Sequence, residues 1–251
     1  MSNWLMNPLT DIEFASYSSW QAFEQIDYFG WIIRFANGYT KRANSVNALT
    51  PSNANLPAVI QHCESFYRER RQPTIFRLLS FVDDPSLDSY LADIGYKYLD
   101  PSLVLYQKLD SSHNQPLSLI AVEQKLWLHT YCSIAGIDLR TQENHVKILS
   151  QVPKQSLFAI LEENGQPIAC GMGVIFNNYF GIFDIITQQQ SRNKGYGARL
   201  ITNMLSWAWI AGAQDAYVQV VAANAPAVRL YEKLGYRRLY NYWYRIQSSI
   251  L

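Results

Sequence analysis

Cysteine is scarce in this chain. There are three in 251 residues, Cys63, Cys132 and Cys170, far apart and without a CxxC pair. An odd count with that spacing excludes a disulfide framework and a cysteine-built zinc site. Histidine is nearly as scarce: four residues (His62, His113, His129, His145) with no HExxH spacing, so no metal is expected. An excess of one charge is also missing. Lys and Arg number 21 against 20 Asp and Glu, a formal net charge of +1. That balance argues against a nucleic-acid or membrane-surface partner, whose signature is a strongly basic domain. The best apolar run, Trp207 to Ala213, falls far short of the ~20 residues that span a bilayer. Met1 to Thr10 shows no basic segment leading into an apolar one, so no signal peptide is expected. These absences together predict a cytoplasmic protein of a reducing compartment. What is abundant is apolar surface: 49% hydrophobic residues, ample for a buried core.

The clearest linker is Asp110-Ser111-Ser112-His113-Asn114-Gln115-Pro116, polar and closed by proline. It predicts two modules, residues 1–112 and 113–251. The first reads as α/β. Trp31–Phe35 is a short apolar run, and Asn37-Gly38 is a hairpin signal. Leu56, Val59, Ile60, Cys63, Phe66 and Tyr67 have helical spacing. Thr74–Leu79 reads as a strand. Asp84 is placed to cap a helix with Leu87, Tyr90, Leu91 and Ile94 on its apolar face, ended by Gly95 and followed by a strand to Leu109. Tyr39 to Asn47 is polar: either a loop lining an acceptor pocket or a solvated surface loop. Arg68 to Arg71 reads as the exposed end of a helix.

The second module opens with helical patterns, Leu119–Ser133 and Gln142–Ser150. Strand-like runs follow at Ser156–Glu162, Ile168–Phe176 and Tyr179–Thr187, joined by Asn164-Gly165 and Asn177-Asn178. Gly171-Met172-Gly173 inside the second run marks a bulge or a close backbone approach. Leu200, Ile201, Met204, Leu205 and Ala208 form one helix face, ended by Gly212. Ala216–Val221 is a strand, Asn224 caps a helix to Leu234, and Tyr236–Ile246 is a last strand. The fold class is mixed α/β, α+β in layout, with a mostly antiparallel sheet flanked by helices. Leu230 to Tyr236 repeats the helix, Gly-Tyr, strand layout of Tyr90 to Tyr96.

Arg192-Asn193-Lys194-Gly195-Tyr196-Gly197-Ala198 lies between a strand and a helix. Glycines there let the backbone approach a ligand closely. The first N–H groups of a helix have no intrahelical partner, and the helix dipole adds to them, which makes an anion site. The spacing is neither GxGxxG nor GxxxxGK[ST], and no GxSxG is present, so dinucleotide, P-loop and serine-hydrolase readings have no support. Asn224 and Tyr231 are two helical turns apart and share a face. Tyr231 is either a proton donor or a packing residue, and Asn224 either a ligand contact or an N-cap.

Taken together, R-N-K-G-Y-G and N-A-P-A-V-R-L-Y-E-K-L-G-Y resemble the GCN5-related N-acetyltransferase superfamily, over roughly Leu157 to Ile246. The resemblance implies acetyl-CoA as co-substrate and no metal. Its pyrophosphate would rest on Arg192, Asn193, Lys194, Gly195, Tyr196, Gly197 and Ala198. Its pantetheine arm would pair with Ile185, Ile186 and Thr187. Asn224 would contact that arm or a water, and Tyr231 would protonate the departing thiolate. A neutral amine attacks directly, so a base must take its proton or a pocket must lower its pKa. Family members often keep an acid on the strand before the glycine turn. Asp184 is the one here, with a structural strand-edge role as its alternative, while Glu162 and Glu163 read as solvated. The sequence departs from the pattern at Thr187, where the family often has an aliphatic residue, and at Gln189, where it often has proline.

The implied activity is transfer of an acetyl group to the primary amine of a small molecule or peptide. The first module, possessing no R-x-x-G-x-G, would be a degenerate copy that shapes acceptor choice. Two other readings use the same residues: a non-catalytic CoA sensor, and an interaction module.

Overall fold

The computed structural model describes residues 8–51 and 55–247. In chain order the elements are α1 (Pro8–Ser19), β1 (Glu24–Tyr28), β2 (Trp31–Phe35), β3 (Val46–Ala48), α2 (Leu56–Glu69), β4 (Ile75–Leu79), α3 (Pro85–Asp93) and β5 (Lys97–Lys108). There follow β6 (Ile120–Ala121), α4 (Gln124–Ala135), α5 (Glu143–Leu149), β7 (Ser156–Glu163), β8 (Gln166–Phe176) and β9 (Tyr179–Thr187). The chain ends with α6 (Tyr196–Ile210), β10 (Asp215–Val221), α7 (Ala225–Lys233) and β11 (Arg237–Ile246). No helix among the described residues is long and apolar enough to cross a membrane.

The chain forms two compact units, and neither is one continuous stretch. The first takes the described residues of Met1–Ser19, with Leu105–Val220 and Asn224–Leu239; the second takes Trp20–Val104, Val221–Ala223 and the described residues of Tyr240–Leu251. The single cut after residue 112 expected from the linker is therefore replaced by several crossings. Helix α1 is the clearest case, because it belongs with the C-terminal half and packs on β8 and β9. Its periodicity is invisible in the sequence because Glu13, Ala15, Ser16 and Ser19 are as buried as Ile12 and Tyr17.

In the first unit the strands run in the order β10-β9-β8-β7-β6. All pairs are antiparallel except β9 with β10, which is parallel. The two tight hairpins form where the sequence predicts them. Asn164-Gly165 and Asn177-Asn178 all take positive φ, from 47° to 73°, as a twist-matched two-residue turn requires. Helices α4 and α6 cover opposite faces of β8. A side chain on Gly171 would meet Met204 of α6, whereas Trp127 of α4 packs on Phe158, the partner of the next residue, Met172. The helical reading of Leu119–Ala121 is corrected: Ile120 and Ala121 pair with β7, and α4 begins only after Glu123.

In the second unit the order is β1-β2-β3-β4-β11, with β3–β4 the parallel pair. Trp31, Ile33, Phe76, Val59, Cys63, Tyr67 and Leu91 belong to its core. The tight hairpin here is Phe29-Gly30, between β1 and β2, not Asn37-Gly38. Asn37 and Gly38 do adopt positive φ, but the chain there closes on a side chain. Asn44 Oδ1 accepts from the amides of Ala36 at 3.0 Å and Gly38 at 2.9 Å. Tyr39–Asn47 is not the solvated surface loop that was one of its two expectations, since Ala43 to Asn47 are buried. Asp84 caps α3 as expected, accepting from Leu87 N at 3.2 Å. Its apolar face is narrower than expected: Leu87 and Leu91 are buried, while Ile94 lies past the helix end and is 44% exposed.

Candidate active site

The site arises where two strands stop pairing. The β9–β10 register runs from Tyr179–Asp215 to Ile182–Val218 and goes no further. Strand β9 continues to Thr187, so its last residues leave β10 behind. A cavity of about 790 Å³ opens there, lined by Ile185, Ile186 and Thr187 from β9 and by Asn224, Ala227 and Leu230 around α7. That is within the range of pockets that enclose a whole small ligand.

The bulge announced by Gly171-Met172-Gly173 lies beside this opening. Cys170 pairs with Ile186 but Met172 pairs with Phe183, so β9 carries one extra residue against β8. Asp184 absorbs it with φ +49°, a left-handed conformation that aspartate tolerates better than most residues. Gly171, across from the bulge, leaves room for the Ile185 side chain, whose Cδ1 a Cβ there would meet.

The glycine turn forms the cavity's polar end. Asn193 and Gly195 have φ +60° and +85°, and Gly195 is the N-cap of α6 without a side-chain cap. The first backbone helical bond, Arg199 N to Gly195 O, is 3.0 Å. The amides of Tyr196, Gly197 and Ala198 therefore open the helix uncapped by any side chain, and all three residues line the cavity. Arg192, Arg229 and Lys233 line it too. Lys194 belongs to the turn but is not among the lining residues. The absent proline leaves the turn intact: Gln189–Ser191 form a 3₁₀ turn, and Gln188 Nε2 donates to Pro167 O at 2.8 Å.

Asn224 is the N-cap it was expected to be, and it also lines the cavity. Its Oδ1 accepts from Ala227 N at 3.3 Å. Tyr231 does not line it. It is 5% exposed, stacks edge-on with Tyr236 at 5.5 Å, and burial holds its phenol above the ordinary range. Pro226, Arg229, Leu230 and Lys233 form the cavity-facing side of α7. Glu163 is tied to Arg199 at 3.0 Å, near the start of α6.

Asp184 is not among the residues lining the cavity; its side chain turns to α5, the helix expected over Gln142–Ser150. Its Oδ2 lies 3.0 Å from Nε2 of His145, a fully buried residue of α5. Without HExxH or a paired cysteine, His145 carried no sequence signal, because its partner is 39 residues away. Among the described residues, no group of three or more His, Cys, Asp or Glu side chains is arranged to hold a metal.

With this geometry in place, likeness to known proteins is informative. Residues 9–245 match the family described as the probable histone acetyltransferase Rv0428c, C-terminal. The chain belongs to that family. It is an acetyltransferase of the GCN5-related type. The uncharacterized N-acetyltransferase YobR of Bacillus subtilis is 26% identical, over 96% of this chain and all of that protein. Among solved structures, a GCN5-related N-acetyltransferase from Kribbella flavida superposes with a TM-score of 0.75 at 15% identity, covering 98% of this chain and 97% of that one. A functionally unknown conserved protein from Staphylococcus epidermidis gives 0.67 at 9% identity, covering 98% and 99%. At such identities the last two show the fold alone.

Proposed function

We propose that this chain transfers the acetyl group of acetyl-CoA to the primary amine of a small molecule or peptide, by direct attack. The observation that carries the proposal is the cavity between β9 and α7. It joins a strand edge free of β10, an uncapped helix N-terminus and three basic side chains. That combination suits a long, narrow ligand with a polar arm and an anionic end. Bound acetyl-CoA would supply an activated thioester. Ile185, Ile186 and Thr187 would hold its arm through their backbone groups. The amides of Tyr196, Gly197 and Ala198, with Arg192, would take its pyrophosphate. A β9 amide at the bulge would hydrogen-bond the thioester oxygen as negative charge develops on it.

Asp184 is the residue for the acceptor's proton. It is the only carboxylate on β9, it sits on the bulge, and its side chain is 16% exposed, accessible yet sheltered. Tyr231 remains the candidate donor to the departing thiolate, as a hydrogen bonder. A phenol held above its ordinary range gives up its proton less readily.

The test has two stages. Titration calorimetry with CoA and acetyl-CoA should show binding of both. Acetyl transfer to an amine panel should then fall by about two orders of magnitude or more in Asp184→Asn, as general-base loss does. In Tyr231→Phe it should fall several-fold. Tight CoA binding without transfer to any amine would favour the sensor reading, and no CoA binding would favour the interaction module.

A further inference from the structure

Resting on the assignment of Asp184 as the base, we propose that His145 is a positioning residue for the reaction. It holds one carboxylate oxygen so that the other faces the acceptor amine. Asp184 alone is poorly placed to stay in one orientation. It occupies a bulge, and a carboxylate has two equivalent oxygens that rotate freely unless held. His145 Nε2 fixes Oδ2 at 3.0 Å. An ionised carboxylate only accepts hydrogen bonds, so Nε2 carries the hydrogen whenever Asp184 is charged. Oδ1 is left to take the proton of the acceptor's ammonium, which leaves a neutral amine and a protonated Asp184.

His145 is itself held. Its ring meets the edges of Tyr131 at 5.7 Å and Trp127 at 6.2 Å, both from α4. Trp127 is pinned in turn, its indole N–H donating to Gly171 O at 3.0 Å. Gly171 is the residue of β8 across from the bulge, and its missing side chain makes room for Ile185. The contacts therefore close a ring: bulge, Asp184, His145, Trp127, Gly171 and back to the bulge. The other titratable side chains close to this group are the Tyr131 phenol and the thiols of Cys132 and Cys170. The carboxylate that meets the His145 ring is that of Asp184. A structural tie between α5 and β9 would need only some hydrogen bond there. A positioning device needs a donor at the place of Nε2.

That difference sets the experiment. Steady-state kinetics with an accepted amine are compared for wild type, His145→Gln, His145→Leu and Asp184→Asn, with thermal stability measured alongside. Glutamine can present an amide N–H near the Nε2 position; leucine cannot. The proposal expects His145→Leu to lose ten-fold or more in kcat with KM for acetyl-CoA within two-fold. It expects His145→Gln to recover most of that loss. Equal kcat losses in Gln and Leu variants that track their melting temperatures would overturn it in favour of a structural tie. So would an undiminished kcat in His145→Leu. If Asp184→Asn keeps full kcat, the base assignment fails first. If Asp184→Asn is inactive while His145→Leu is not, only the positioning role fails.

Discussion

Replacing Gly195 by aspartate separates the folding role of the glycine turn from its binding role. Nothing lies within 4 Å of a Cβ built at Gly195, so the cost of a side chain is conformational, not steric. At φ +85° that cost is about 1 kcal/mol. A carboxylate beside the N-terminus of α6 interacts favourably with the helix dipole, offsetting about 0.5 kcal/mol. Folding should therefore weaken by roughly half a kcal/mol, a fall of about 1–2 °C in Tm for a chain this size. Binding should suffer far more. A carboxylate about 5 Å from a phosphate charge, at an effective dielectric of about 20, costs about 3 kcal/mol. That is more than a hundredfold in the Kd for CoA. Calorimetry at low and high salt is the assay, because screening should shrink the penalty as salt rises. Gly195→Asn is the control, since asparagine tolerates the left-handed region and adds no charge. A Gly195→Asp variant that bound CoA as tightly as wild type would show that the opening of α6 does not receive phosphate. The cavity would then need another occupant.

Trp127→Phe removes the hydrogen bond from the indole N–H to Gly171 O while keeping an aromatic ring, so urea unfolding should show about 1 kcal/mol less stability. Asp88 is held below the usual carboxylate range, chiefly by the Arg245 guanidinium at 2.8 Å and also by the Trp243 indole at 2.7 Å. A lowered folded-state pKa means this stability is present above the ordinary value of about 4 and is lost as pH falls through the lower folded value. Asp88→Asn should thus be less stable than wild type by about 1 kcal/mol at pH 7, and the gap in Tm should close in strong acid. Burial pushes the Cys63 and Cys170 thiols up to about 12 and raises that of Cys132. A disulfide reagent at pH 8 should therefore label none of the three until the chain is unfolded.

The parts of the molecule legible in the sequence are those decided within a few residues. The two Asn-containing turns, the caps Asp84 and Asn224, and the two-glycine opening of α6 all follow from backbone chemistry local to the motif. Hairpin Phe29-Gly30 was missed because phenylalanine at φ +50° runs against its own preference; the pairing of β1 with β2 imposes it. Helix α1 was missed because its buried face is largely polar or small. The site divides the same way. Ile185 to Thr187 and the residues of the glycine turn other than Lys194 line the cavity, and all belong to one strand-to-helix connection. His145 could not be foreseen, since a hydrogen bond from α5 to a bulge on β9 leaves no periodic trace in either segment.

Local chemistry alone also fails to say which turn becomes a site. Helices α3 and α7 are near copies at their ends. Each has nine residues, a proline in its first turn, an Asx side chain capping its start, and a glycine at φ +92° just past its end. Tyr96 N and Tyr236 N return to Leu91 O and Tyr231 O at 2.9 and 3.1 Å. Yet α3 borders a gap of about 30 Å³, lined by Leu78, Leu87 and Trp243 among others, whereas α7 borders the cavity of about 790 Å³. The helix therefore does not make the cavity. The distinguishing features lie on β9: its register with β10 ends at Ile182, one extra residue follows, and the uncapped start of α6 comes soon after. Gly171→Ala should force the Ile185 side chain, which lines the cavity, to move and so weaken CoA binding in calorimetry, while leaving α7 and its Asn224 cap in place.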